Sequence, residues 1–153
     1  MTKPTLDYIT ASISQKIVDS VTESAKSEKA AKELENLATK TLGVLQSQGI
    51  YATMLFLISN ADETGANEII NWLYTLTSPE KFKELNPKDS KPDINYSEEK
   101  RKGKNKEITN TILDKTILIT NNLENLLKIR LVWEQLLIYL RYHAKAAQKL
   151  PEE

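Results

Sequence analysis

Residues 126–147, LLKIRLVWEQLLIYLRYHAKAA, carry the longest regular apolar pattern in the chain and decide its fold class. Apolar side chains recur there at steps of three and four residues, the spacing of one face of an α-helix. Asn121, with Glu124 three residues later, resembles a capping box and predicts a helix boundary just before this stretch. The predicted apolar face consists of Leu126, Ile129, Trp133, Leu136, Leu137, Leu140, Ala144 and Ala147.

Charged side chains of the same stretch also sort to one side. At about 100° per residue, Arg130, Glu134, Arg141 and Lys145 fall together on the flank of the apolar face. The sequence therefore predicts a long terminal helix with one buried face and one charged flank.

Helical spacing continues upstream of this helix. Apolar stripes at 6–21, 30–45, 66–76 and 108–119 each predict an amphipathic helix. The stretch Ile50 to Ser59, IYATMLFLIS, is apolar on nearly every side. Periodicity alone leaves a helix and a buried strand open for it, and the lack of a partner strand favours a central, buried helix.

The segments between the stripes predict the helix boundaries. Ser27 is placed to cap the second helix, Gly49 marks the turn out of it, and Ser78-Pro79 predicts a short helix near 79–85. Residues 86–106 hold two prolines, a glycine and a charged run, so we predict a mobile, lysine-rich loop. The whole prediction is an all-α fold, a compact bundle of about six helices in a single domain, 1–153.

Composition limits the classes of function. Lys+Arg and Asp+Glu balance at 21 each, which argues against an autonomous nucleic-acid binder but leaves room for a subunit that meets nucleic acid on one face. The longest apolar run, Ile50 to Ile58, is about half of the roughly 20 residues that a membrane span needs. No N-terminal signal segment is evident. We therefore expect a cytoplasmic protein without a membrane partner.

Catalytic and metal-binding patterns are missing from the sequence. The chain has no cysteine, and its one histidine, His143, has no acidic pair at metal-ligand spacing. No GxxxxGK[ST] or GxGxxG phosphate loop is present. The carboxylate pairs Asp62-Glu63 and Glu98-Glu99 fall in predicted turns and loops. We expect no catalytic residue, no metal and no cofactor.

Two segments together resemble a known family. Leu37 to Asn60, LATKTLGVLQSQGIYATMLFLISN, joins a helix to a Leu-x-Gln-x-Gln-Gly turn and a second, apolar helix. Arg130 to Ala146, RLVWEQLLIYLRYHAKA, ends in a Leu-aromatic-Leu-basic-aromatic-x-Ala pattern. This pair resembles the small helical subunit of the type III-B (Cmr) CRISPR effector complex. The chain departs from the family pattern at Gly43, expected to interrupt the second helix, and at Arg141-Tyr142.

The resemblance implies a non-catalytic role in an antiviral RNA-guided complex. Such subunits stack as a short filament of like copies beside the backbone subunits and help to hold the guide RNA and target RNA. Basic side chains would touch phosphates, while base pairing supplies specificity. The resemblance points to Arg130, Arg141 and Lys145 on the last helix as RNA contacts, with Lys40, Gln46 and Gln48 as a second contact region.

Alternatives stay open on the sequence. The small subunit of the type III-A complex shares the all-helical design. A helical protein–protein adaptor without RNA contact would have the same hydrophobic core, so the apolar pattern does not exclude it. An enzyme is the weakest alternative, because it would need convergent carboxylates that the sequence does not show.

Overall fold

The computed structural model describes residues 5–23, 27–77 and 90–149. These ranges contain seven α-helices and no strand. The all-α prediction is confirmed. The helices are α1 (Leu6–Glu23), α2 (Ser27–Gln48), α3 (Ile50–Ser59), α4 (Ala66–Thr75), α5 (Tyr96–Arg101), α6 (Asn105–Thr120) and α7 (Leu123–Ala147).

The terminal helix α7 organises the bundle. It packs mainly against α2 and α1, while α3 packs against α2, α4 and α6. Gln148 Nε2 donates to Glu35 Oε1 at 2.9 Å, and an Arg130 guanidinium N–H donates to the Gln46 carbonyl at 2.9 Å. Early α2 therefore lies beside the end of α7 and late α2 beside its beginning, so the two helices run antiparallel.

One hydrophobic core joins all seven helices. The predicted face of α7 supplies its centre, because Trp133, Leu136, Leu137 and Leu140 are fully buried. Deep burial of these large side chains is the main source of the bundle's stability.

Helix α3, predicted as a central, buried helix, is buried on one side only. Ile50, Met54 and Leu57 are buried on one side, whereas Leu55 on the other side is 39% exposed. An apolar sequence all round does not require burial all round, since folded proteins leave much apolar surface in contact with water.

The predicted loop at 86–106 is wrong at residues 96–101 and 105–106, which are helical, whereas 90–95 and 102–104 are not helical. Residues 96–101 form α5 and α6 already begins at Asn105, while 86–89 lie outside the described residues. Tyr96 is only 2% exposed, and its amide donates to Asn71 Oδ1 at 2.8 Å. The Asp93 amide donates to Thr75 Oγ1 at 2.8 Å. Helix α4 thus anchors this segment, which its prolines, its glycine and its charged run predicted to be a loop.

Three boundary predictions have different outcomes. Gly49 separates α2 from α3 as predicted, at φ +92°. Helix α2 runs unbroken through Gly43, so the expected interruption is wrong. Asn122, and not Asn121, caps α7, because its Oδ1 accepts the Asn125 amide at 3.1 Å. The predicted short helix near 79–85 and the capping side chain of Ser27 lie outside the described residues.

Candidate nucleic-acid interface

The side of α7 that faces away from the core carries three of the six candidate contact residues. Arg141 and Lys145 are exposed, and Arg130 is partly buried. Arg141 lies eleven residues after Arg130, so the two leave the helix in nearly the same direction, about 16 Å apart along the axis. The predicted charged flank therefore exists as a continuous surface.

Arg130 has a partner within the chain. Its guanidinium donates to the backbone carbonyl of Gln46 in the last turn of α2. Carbonyls in a last helical turn lack intrahelical donors, and a cation there is favoured by the helix dipole. Arg130 thus helps to end α2, with its remaining N–H groups available for another acceptor.

The second predicted contact region is not one surface. Lys40, Gln46 and Gln48 are all exposed. Lys40 and Gln46 lie six residues apart in α2, which places them about 120° apart around its axis. Gln46 is joined to the α7 flank through its carbonyl, whereas Lys40 leaves α2 on a different side.

Arg141 and Lys145 differ from Arg130 because nothing in the described part of the chain pairs with them. Neither forms a hydrogen bond or an ion pair with any described residue. Their charges are therefore open to solvent or to a ligand. Glu134, partly buried, is the acidic member of the same flank.

An apolar strip on the outer side of α7 is not among the predicted site residues. Leu123, Leu127 and Leu131 are 69%, 58% and 58% exposed. Their four-residue spacing puts them on one face, away from the core residues Ile129 and Trp133. The spacing was visible in the sequence, but these leucines fall outside the stripe that fills the core. We call Leu123, Leu127 and Leu131 the leucine strip.

The leucine strip and the basic residues share one side of α7. Leu123 and Arg141 are eighteen residues apart, as are Leu127 and Lys145, which is about five full turns or 27 Å. The outer surface of α7 is therefore apolar in its first half and basic in its second half.

A second basic surface lies at the corner between α5 and α6. Arg101, Lys102, Lys104 and Lys106 are exposed there. Lys102 Nζ lies 3.8 Å from Glu98 and 3.9 Å from Glu99, and all three side chains are substantially exposed. Such solvent-exposed pairs contribute little to stability, so they do not bind the lysine tightly.

The two tyrosines near the end of α7 have different surroundings. The Tyr139 hydroxyl donates to Asp7 Oδ1 at 3.0 Å, and Gln135 donates to the same carboxylate. Tyr142 is 62% exposed and follows Arg141 directly. Of the two, Tyr142 presents a free aromatic ring on which a base could stack.

Candidate catalytic or metal-binding side chains are few in the described ranges. His143 is partly exposed and forms no hydrogen bond or ion pair with a described residue. No group of three or more His, Cys, Asp or Glu side chains within 5–23, 27–77 and 90–149 is arranged to hold a metal ion. Helices of the length and apolarity needed to cross a membrane do not occur among the described residues.

Comparison of the chain with protein families, with curated proteins and with solved structures finds no significant match.

Proposed function

We propose that this protein is a non-catalytic small subunit of a type III-B CRISPR RNA-guided effector complex. It stacks as a short filament of like copies beside the backbone subunits and helps to bind the guide–target RNA. The family resemblance of residues 37–60 and 130–146 motivates the proposal.

One structural observation carries the RNA-binding part. Arg141 and Lys145 extend from the outer side of α7 without a partner among the described residues. Lysine and arginine in this situation bind phosphate oxygens at little cost, since no ion pair with a described residue must first be broken. Three turns before Arg141, Arg130 retains N–H donors beside its bond to Gln46.

The arrangement suits recognition of shape and charge. Basic side chains spaced along one helix follow a phosphate backbone but do not read base edges, so specificity comes from guide–target pairing. The balanced net charge is consistent with a subunit whose basic face is offset by acidic surface elsewhere.

The leucine strip favours a second candidate, a helical adaptor that contacts only protein. Contiguous exposed leucines are typical of protein–protein contact sites. Both candidates predict a protein interface on the first half of α7, but only the first predicts RNA on the second half.

A salt titration separates the two candidates. Binding of a fluorescently labelled target RNA by the type III-B complex, assembled with the native chain or with R141E/K145E, is measured by anisotropy at several KCl concentrations. Each phosphate contact contributes about 0.7–0.9 to the slope of log K against log salt. The double reversal should therefore lower affinity and reduce the slope magnitude by about 1.5.

A charge reversal elsewhere serves as the control. Lys32→Glu changes an exposed lysine on α2 and should leave affinity and slope near native values. Circular dichroism should show unchanged helicity in both variants, because the altered side chains are exposed. Equal RNA affinity in the native protein and R141E/K145E would contradict the assigned RNA contacts and leave the adaptor as the better account.

A further inference from the structure

The leucine strip leaves an unusual amount of apolar surface on one helix. Its three leucines are exposed by 58–69% within three turns of α7. The last turn of α6, directly before α7, adds Ile117 at 48% and Leu118 at 71%. Scattered exposed leucines are ordinary, but three on successive turns of one helix face usually have a partner.

We propose that the leucine strip binds the same strip of a second copy, with the two α7 helices antiparallel and a twofold axis beside Leu127. This self-contact does not depend on the RNA-binding function proposed above. It is isologous and closes on itself, so it is also distinct from a head-to-tail filament contact.

The spacing of the leucines is self-complementary. Leu123 and Leu131 lie four residues before and after Leu127. An antiparallel pair centred at Leu127 therefore places Leu123 of each copy against Leu131 of the other. The three leucines of each copy then cover those of its partner without an offset.

Charges beside the strip select the antiparallel direction. Glu124 and Lys128 lie on one flank of the leucines and Arg130 on the other, at about 100° per residue. Antiparallel helices bring like flanks together, so each Glu124 approaches Lys128 of the other copy, and these two attractive pairs outweigh the single approach of the two Lys128 side chains. Parallel helices would instead bring Lys128 near Arg130 of the second copy, a repulsive pair.

Glu124 and Lys128 can replace their ion pair within one chain by ion pairs with the second copy. Within one chain they form an ion pair at 3.1 Å, with 77% and 57% of their side chains exposed. An exposed pair of this kind contributes little by itself, so reaching across to a second copy costs little. Its role in the dimer is to fix direction, while the leucines supply most of the affinity.

Cysteine cross-linking tests the geometry directly, because the chain contains no cysteine of its own. A disulfide needs Cα atoms closer than about 7 Å. Under mild oxidation L127C, at the twofold axis, should form a covalent dimer. L123C alone and L131C alone should form no disulfide-linked dimer, whereas a mixture of the two variants should cross-link. Y142C, equally exposed on the same helix but about 22 Å along it, is the control and should not cross-link.

Sedimentation velocity on the full chain measures the association itself. We expect a dimer with a dissociation constant on the order of 1–100 μM, as for a small interface. L127E should weaken it roughly tenfold or more, while Y142E should leave it unchanged. E124K and K128E should each weaken it, and an equimolar mixture of the two should associate more tightly than either variant alone.

Each outcome of these experiments supports or contradicts one part of the proposal. A native protein that stays monomeric up to submillimolar concentration overturns the proposal. Self-cross-linking of L131C as efficient as that of L127C overturns the antiparallel register. If L127E loses the dimer but still binds RNA, the RNA-binding proposal is unaffected. If R141E/K145E loses RNA binding but still forms the dimer, the self-association proposal is unaffected.

Discussion

At the scale of single residues, two glycines with similar backbone angles have different surroundings. Gly65, before α4, has φ +86°, and Gly103, between α5 and α6, has φ +78°. A Cβ added at Gly65 would overlap Leu34 and contact Val21, whereas a Cβ at Gly103 would meet nothing within 4 Å. Leu34 is fully buried, so it has little room to move away.

Alanine at these positions separates backbone strain from overpacking. Gly103→Ala should lower the free energy of unfolding by about 1–2 kcal/mol, the cost of a left-handed backbone for an L-residue. Gly65→Ala should cost about 1–3 kcal/mol more, because it also overpacks the core around Leu34. Urea unfolding followed by circular dichroism measures both. Equal losses would mean that Leu34 adjusts freely.

At Gly43, by contrast, substitution by alanine is expected to raise the free energy of unfolding. Gly43 lies exposed inside the continuous helix α2, with open space around its Cα. Gly43→Ala should raise the free energy of unfolding by about 0.5–1 kcal/mol, because glycine loses the most backbone freedom in a helix. A lower stability in the same urea experiment would contradict an unstrained helical backbone with open space for a Cβ at Gly43.

At the scale of elements, α5 shows why a charged segment was mistaken for a loop. Its sequence, YSEEKR, has one large apolar residue, and Gly103 follows shortly after. Composition does not reveal that Tyr96 enters the core or that Asn71 and Thr75 of α4 accept the amides of residues 96 and 93. Lys16 adds a bond from Nζ to the Ser90 carbonyl at 2.9 Å. These contacts are long-range, so a local pattern carries no sign of them.

Removing one of these acceptors should loosen α5 before the rest of the bundle. Asn71→Leu leaves the buried Tyr96 amide without an acceptor, which costs about 1–3 kcal/mol. Hydrogen exchange at this amide should accelerate about tenfold or more, while the amides of α7 change much less. Thr75→Val is the companion variant and should accelerate the Asp93 amide instead. Uniform acceleration along the chain would contradict local anchoring by α4.

The terminal helix was predicted better than α5, for a physical reason. Its predicted apolar face, 126–147, repeats over about six turns, and long amphipathic periods identify helices independently of tertiary contacts. The same pattern placed Arg130, Arg141 and Lys145 on one flank, as the structure does. The bond from Arg130 to Gln46 joins residues 84 positions apart. Local spacing could not reveal the bond between Arg130 and Gln46, whereas the six-residue separation of Lys40 and Gln46 already implied their different directions.

At the scale of the whole molecule, the two sides of α7 have different roles. The inner side fills the core with Trp133 and its leucine neighbours. The outer side presents the leucine strip in its first half and Arg141 and Lys145 in its second. A rigid helix buried along one face holds these two surfaces at a fixed distance, so a protein contact and an RNA contact can be made at the same time.

Co-purification with effector subunits tests the account most directly. The tagged full chain is co-expressed with type III-B backbone subunits and a guide RNA, with type III-A backbone subunits in a parallel experiment. We predict recovery of the type III-B subunits and guide RNA by the native chain. R141E/K145E should recover the same proteins but retain less target RNA. Recovery of type III-A subunits alone would reassign the complex, and recovery of neither set would contradict the account.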